Sequence, residues 1–176
     1  MRLFVALTLP DAVAASLAAL QSGVPGARWQ AREQLHLTLR FIGDADGRDA
    51  AAIDDALSGF SESRFELRLK GVGEFGGNSP RALWAGVEAS APLLHLARKI
   101  EIALQRVGLE PEQRRFTPHV TLARLRGAPR GRVMDFLVDH ALYASAPFEV
   151  GGFVLFSSRL ASGGSIYVPE RTYPLA

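Results

Sequence analysis

Residues 34–43, QLHLTLRFIG, alternate apolar and polar side chains, and residues 117–125, TPHVTLARL, do so again. A period of two belongs to a β-strand, whose successive side chains point to opposite faces. In each copy one row is apolar (Leu35, Leu37 and Leu39; Val120 and Leu122) and demands a core. The other row is polar and carries a histidine and a threonine two residues apart: His36 with Thr38, and His119 with Thr121. A chain that holds this pattern twice, 83 residues apart, must fold so that two half-buried strands rest on a helix-covered core with their polar rows outward.

Chance is a poor source for the repetition. With five threonines and four histidines in 176 residues, two His-x-Thr coincidences arise about once in 200 arrangements of this composition. The plain alternative is a pair of strands with solvated polar faces, which leaves the duplication unexplained.

The rest of the chain has the same alternating style. Residues 2–9 form a strand, and Pro10–Asp11 opens an Ala-rich helix to about residue 20. Residues 28–30 are extended, and the His36 strand runs to about Ile42. GDADG is a turn, and residues 48–59 form an amphipathic helix. Residues 65–72 and 81–88 are strands around the Gly/Pro loop GEFGGNSP. A helix over residues 92–107 precedes the His119 strand, which ends near Leu125. GAPRGR is a loop and residues 132–142 a helix, and residues 148–160 and 165–175 are strands about a Gly turn. The two sequence halves are expected to form two related lobes, an old duplication within one domain over residues 1–176. The class is α+β: two pseudo-symmetric lobes, each with an antiparallel sheet and outer helices, and a cleft between them.

Composition excludes several functions. There is no cysteine, which removes disulfides, thiolate nucleophiles and Cys-based zinc sites. The apolar run RLFVALTLP is too short to span a membrane and alternates like a strand, so a cytoplasmic protein is expected. Net charge is +2 and 18 of 20 cations are arginine. Arginine suits phosphate through its planar fork of donors. The balance permits an anionic substrate without providing a surface that coats nucleic acid.

Two imidazoles and two hydroxyls facing one cleft admit four chemistries. A metal site wants a third ligand, and neither motif has one nearby. A nucleophilic serine lacks its elbow pattern, and paired carboxylates for glycoside hydrolysis have no candidates. Phosphoryl transfer by a histidine pair fits best: one neutral ring takes a proton and one protonated ring gives one, since an unperturbed imidazole titrates near pH ~6.5. The threonine hydroxyls would donate to phosphate oxygens. A cation should meet the charge that builds on phosphorus. Arg40, at His36+4, shares the polar face by strand count. Arg124, at His119+5, does so only if a bulge or strand end turns it. Phe41 continues the apolar row. Trp29, Phe75, Trp84, Phe116 and Tyr167 are core candidates, any of which could stack a base if it faced the cleft. His95, His140, Arg114 and Arg115 are surface or capping residues.

HLTLRFIG and FTPHVTLAR resemble the paired motifs of the two-histidine (2H) phosphoesterases. The RNA 2′,3′-cyclic phosphodiesterases, also called 2′-5′ RNA ligases, are the nearest branch. MRLFVALTLP, PRALWAGV, SSRLASGGSIY and the closing YPL are also similar to that family, while AREQ before the first motif departs from it. The resemblance implies hydrolysis of a terminal RNA 2′,3′-cyclic phosphate to a 2′-phosphate, without cofactor or metal, by a monomeric chain. It implies His36 as proton donor, His119 as proton acceptor, and Thr38, Thr121 and Arg124 as phosphate-binding residues. Two other functions compete: a nucleotide-binding module without catalysis, and a metal-dependent phosphoesterase.

Overall fold

A computed structural model describes residues 1–176. The elements in chain order are β1 (Arg2–Thr8), α1 (Asp11–Ala18), β2 (Ala27–Trp29), a 3-10 turn (Arg32–Gln34), β3 (His36–Asp44), α2 (Gly47–Ser58), β4 (Phe65–Leu67) and β5 (Leu69–Phe75). They continue with β6 (Ala82–Val87), α3 (Ala91–Arg106), β7 (His119–Leu125), α4 (Arg130–Asp139), β8 (Phe148–Val150), β9 (Gly152–Ala161) and β10 (Gly164–Pro174). Every expected helix and strand is present. The expected strands over 65–72 and 148–160 are each broken in two, a short segment followed by a long one. No helix is long and apolar enough to cross a membrane.

The order reveals the repeat. Residues 2–75 run β-α-β-α-β-β, counting β1, α1, β3, α2, β4 and β5, and residues 82–161 run β-α-β-α-β-β as β6, α3, β7, α4, β8 and β9. The matching segments FEL and FEV, β4 and β8, pair antiparallel with Glu66 opposite Glu149. The lobes are nevertheless not the sequence halves. All long strands are antiparallel in the order β10-β9-β1-β3-β7-β6-β5, with β2 also on β7. Strand β9 of the second repeat therefore lies on β1 of the first, and β5 of the first lies on β6 of the second. Each repeat gives its last strand to the other's sheet. Alternation along one strand carries no trace of such an exchange, which is a matter of long-range pairing.

The two sheets meet at one residue pair, Leu37 of β3 opposite Val120 of β7. Both residues are fully buried in a core of 34 side chains drawn from both repeats. The helices bury one apolar stripe each, as amphipathic helices on a sheet must. In α3 the stripe is Leu93, Leu96, Ile100, Ala103 and Leu104, and the helix is capped by Ser90 Oγ, which accepts from the Leu93 N–H at 3.2 Å. Helices α2 and α3 pack on each other, α3 packs against β3, and α4 packs against β5. All helices lie on the core side, which leaves the other face of the central strands open.

Candidate active site

Strands β3 and β7 hold the histidines at their first residues, on adjacent strands across the Leu37–Val120 contact. Burial follows the expected alternation at first: His36 and Thr38 are partly exposed about buried Leu37, and His119 and Thr121 about buried Val120. Each ring is fixed from behind by its own chain. His36 Nδ1 lies 2.7 Å from the Gln34 carbonyl oxygen and His119 Nδ1 lies 2.6 Å from that of Thr117. A carbonyl can only accept, so each Nδ1 carries the proton and donates it. Each neutral ring thus keeps Nε2 as its free lone pair, ready to accept a proton or, once protonated, to return it.

Past the threonines both strands break the rule of two in the same way. Pairing with β1 steps from Ala6↔Thr38 to Val5↔Arg40, and pairing of β7 with β6 steps from Trp84↔Thr121 to Leu83↔Ala123. Leu39 and Leu122 are extra residues, β-bulges that restart the alternation one residue late. Leu122 and Ala123 are consequently both buried, and Arg124 emerges on the face of His119 and Thr121. The odd offset from His119 acts as an even one. Arg124 stands near enough to His36 for its charge to oppose protonation of that ring.

The same bulge overturns two expectations in β3. Arg40 does not face the cleft. It is 9% exposed on the core side, where Nε donates to Glu101 Oε2 of α3 at 2.5 Å and Nη2 donates to the Glu110 carbonyl at 2.6 Å. It is a structural tie between sheet and helix. Phe41, expected in the core, is 54% exposed at the position where β7 presents Arg124. The cleft is thus symmetric in His and Thr and asymmetric beyond them, with a cation on one strand and an aromatic on the other.

Several aromatic residues placed in the core by sequence belong to the open face instead. Phe4 and Tyr167 flank His36, with ring centroids 4.9 and 5.1 Å away. Phe75 and Trp84 flank His119 at 5.0 and 6.1 Å. Trp84 lies across β5 where Gly73 has no side chain, since a Cβ there would stand 2.2 Å from the indole. Trp29 and Phe116 do pack against the core. His95 is a surface partner of Glu62 at 3.1 Å, and His140 caps α4. Arg114 pairs with Glu112 on an exposed loop. No group of three His, Cys, Asp or Glu side chains comes together in the structure.

The aromatic collar has an electrostatic effect. Burial of His36 penalises its charged form, and His119 and Arg124 add positive potential. Against the opposing pull of the Gln34 carbonyl, its pKa falls from 6.5 to about 4. In the free protein His36 is therefore neutral at pH 7. A ring held neutral by its surroundings and faced by a guanidinium is tuned to an anion, which would restore the balance of charge when bound.

A duplicated, strand-exchanged α+β fold with one imidazole from each repeat in a common cleft defines a two-histidine phosphoesterase. Comparison with known proteins narrows the class. The model of the 2'-5' RNA ligase superfamily matches residues 9–160. The RNA 2',3'-cyclic phosphodiesterase of Aeropyrum pernix is 39% identical over 130 residues, 73% of this chain and 72% of that protein. The protein of the same name from Archaeoglobus fulgidus is 30% identical over 177 residues, 98% of this chain and 99% of its own. The crystal structure of a protein of Thermus thermophilus superposes with a TM-score of 0.82 at 30% identity, over 99% of this chain and 97% of that one. The chain belongs to the 2'-5' RNA ligase superfamily.

Proposed function

We propose that the chain hydrolyses the 2′,3′-cyclic phosphate at an RNA terminus to a 2′-phosphate, with His36 and His119 as the acid–base pair. The observation that carries this reading is the pair of free Nε2 atoms on adjacent strands of one open face. Each ring is oriented by a backbone carbonyl, and Arg124 is brought to them by the Leu122 bulge. In the forward reaction His119 Nε2 takes a proton from water as its oxygen bonds to phosphorus. The P–O3′ bond breaks, and protonated His36 gives its proton to O3′. Thr38 and Thr121 donate to non-bridging oxygens, and Arg124 meets the charge that builds there. A 5′-hydroxyl in place of water would give a 2′-5′ linkage without ATP. The reaction needs no cofactor, and residues 1–176 act as one bilobal unit, a cytoplasmic monomer.

The low pKa of His36 favours a second reading, in which the roles are exchanged and neutral His36 is the base. The first reading requires the bound phosphate anion to raise that pKa. A substrate whose 3′-leaving group needs no proton decides between them. It rescues His36→Ala if His36 is the acid, and His119→Ala if the roles are exchanged.

The function is tested with an RNA ending in a 2′,3′-cyclic phosphate, in excess EDTA, with the product's phosphate mapped. Turnover to a 2′-phosphate is expected. A 3′-phosphate product sinks the assigned leaving group. Loss of turnover in EDTA, restored by one divalent ion, points to metal-dependent chemistry. Tight binding without turnover leaves a nucleotide-binding module.

A further inference from the structure

Strand β2 is only three residues long, yet it sets a second arginine beside the first. Arg28 of β2 lies directly opposite Arg124 of β7 in antiparallel register. Residues so paired share a face, with their Cβ atoms about 4.5–5.5 Å apart. Both side chains are exposed. Neither has an acidic partner, whereas Arg32, Arg40, Arg64, Arg114 and Arg171 all do. Like charges directly opposite each other destabilise a sheet, so this register carries a cost that nothing within the protein offsets.

Arg28 is also held in place. The turn between β9 and β10 reaches over from the first sheet, and Gly164 sits against the guanidinium. A Cβ at Gly164 would stand 3.2 Å from Arg28 Nη2 and 3.4 Å from Gln34 Nε2, in a backbone conformation (φ +119°) that suits glycine. Gln34 Nε2 donates to the Ser165 carbonyl at 2.9 Å and fixes the turn. The close approach therefore needs both the absence of a side chain and that hydrogen bond. No protein acceptor takes the guanidinium's protons. A guanidinium pinned at its back with free donors is a prepared anion site.

We propose that Arg28 and Arg124 form a second phosphate subsite, continuous with the catalytic one, that takes the 5′-phosphate of the nucleotide whose 2′,3′-cyclic phosphate is opened. The inference rests on the cyclic phosphodiesterase reading and deepens it. Arg124 sits between the two anions, and Arg28 serves the outer one. The next phosphate along an RNA chain from a terminal cyclic phosphate is the one on the 5′-oxygen of the same nucleotide. The subsite thereby separates an RNA end from a cyclic mononucleotide that lacks a 5′-phosphate.

The test compares kcat/KM for adenosine 2′,3′-cyclic phosphate with that for its 5′-phosphorylated form and for the dinucleotide bearing the same terminus. The native chain is expected to favour the two substrates with a 5′-phosphate by about tenfold or more, the worth of a hydrogen bond to a charged group. In Arg28→Gln that ratio should fall close to one, and Arg28→Lys should keep part of it. A native ratio near one overturns the proposal, as does a ratio that survives in Arg28→Gln. If no substrate turns over, the functional reading has failed, and calorimetric affinities for the same compounds supply the ratio instead. Should Arg28→Gln fold poorly, the native ratio and that of Arg28→Lys decide.

Discussion

At the scale of single residues, the chemistry of the cleft depends on what surrounds each imidazole. His36 and His119 are equivalent in the repeat and alike in their carbonyl contacts, but only His36 sits between Phe4 and Tyr167 with Arg124 close by. A resting pKa of about 4 makes its titration a sensor of the anion. In the free protein its ring resonances should titrate well below the ordinary histidine range. Saturating inorganic phosphate should move the midpoint upward, because a nearby negative charge favours imidazolium. A midpoint that ignores phosphate would leave His36 without its proposed place beside the substrate. Thr38→Val and Thr121→Val keep the β-branched shape that suits a strand and remove one donor each. Turnover is expected to fall roughly 10–1000-fold, as for loss of one oxyanion donor, and unchanged kcat in both variants would take the threonines out of the site. These four residues were legible in the sequence because a two-residue offset needs only a straight strand. Arg28 was not, since nothing local says which residue will face it across β7.

At the scale of elements, the two bulges explain most of what strand counting missed. An inserted residue reverses the parity of everything after it, so Leu39 sends Arg40 to the core side and Phe41 to the cleft, and Leu122 turns Arg124 outward. The apolar pattern LRFI does not reveal the insertion, because Leu39 is buried either way. Arg40 then becomes a brace between β3 and α3. Glu101 accepts from Arg40, Gln105 and the Glu112 N–H. Although burial alone would raise its pKa, those bonds hold it down to about 2. A carboxylate with a lowered pKa stabilises the fold above its ordinary pKa of 4.5, and that contribution drains away as pH falls from 4.5 towards 2. Protonation of His36 in the unfolded chain costs stability over the preceding interval, as pH falls from 6.5 to about 4. Glu101→Gln leaves the Arg40 charge buried with carbonyl partners only, and should cost about 2–3 kcal/mol in denaturant unfolding at pH 7. Its acid transition should also be shallower below pH 4.5 than that of the native chain. Equal stability of the variant at pH 7 would mean that the Glu110 and Phe41 carbonyls suffice for Arg40.

At the scale of the whole molecule, the exchange of strands decides how the lobes behave. The sequence predicts two lobes from two halves, and two such lobes joined at one residue pair would open and melt separately. The chain instead threads β5 into the second sheet and β9 into the first, and the buried cluster runs without a break from Leu3 to Leu175. Neither sheet can lose its partner repeat without losing an edge strand and the core behind it. Unfolding followed calorimetrically and by far-ultraviolet dichroism should therefore give one coincident transition, with calorimetric and van't Hoff enthalpies equal. Phosphate, held by His36 and Thr38 from one sheet and His119, Thr121 and Arg124 from the other, should raise the midpoint of that single transition as its concentration passes the dissociation constant. His119→Ala should weaken the rise. Two resolved transitions, with phosphate shifting only one of them, would show that the sheets are energetically separate and that the anion is held by one lobe alone.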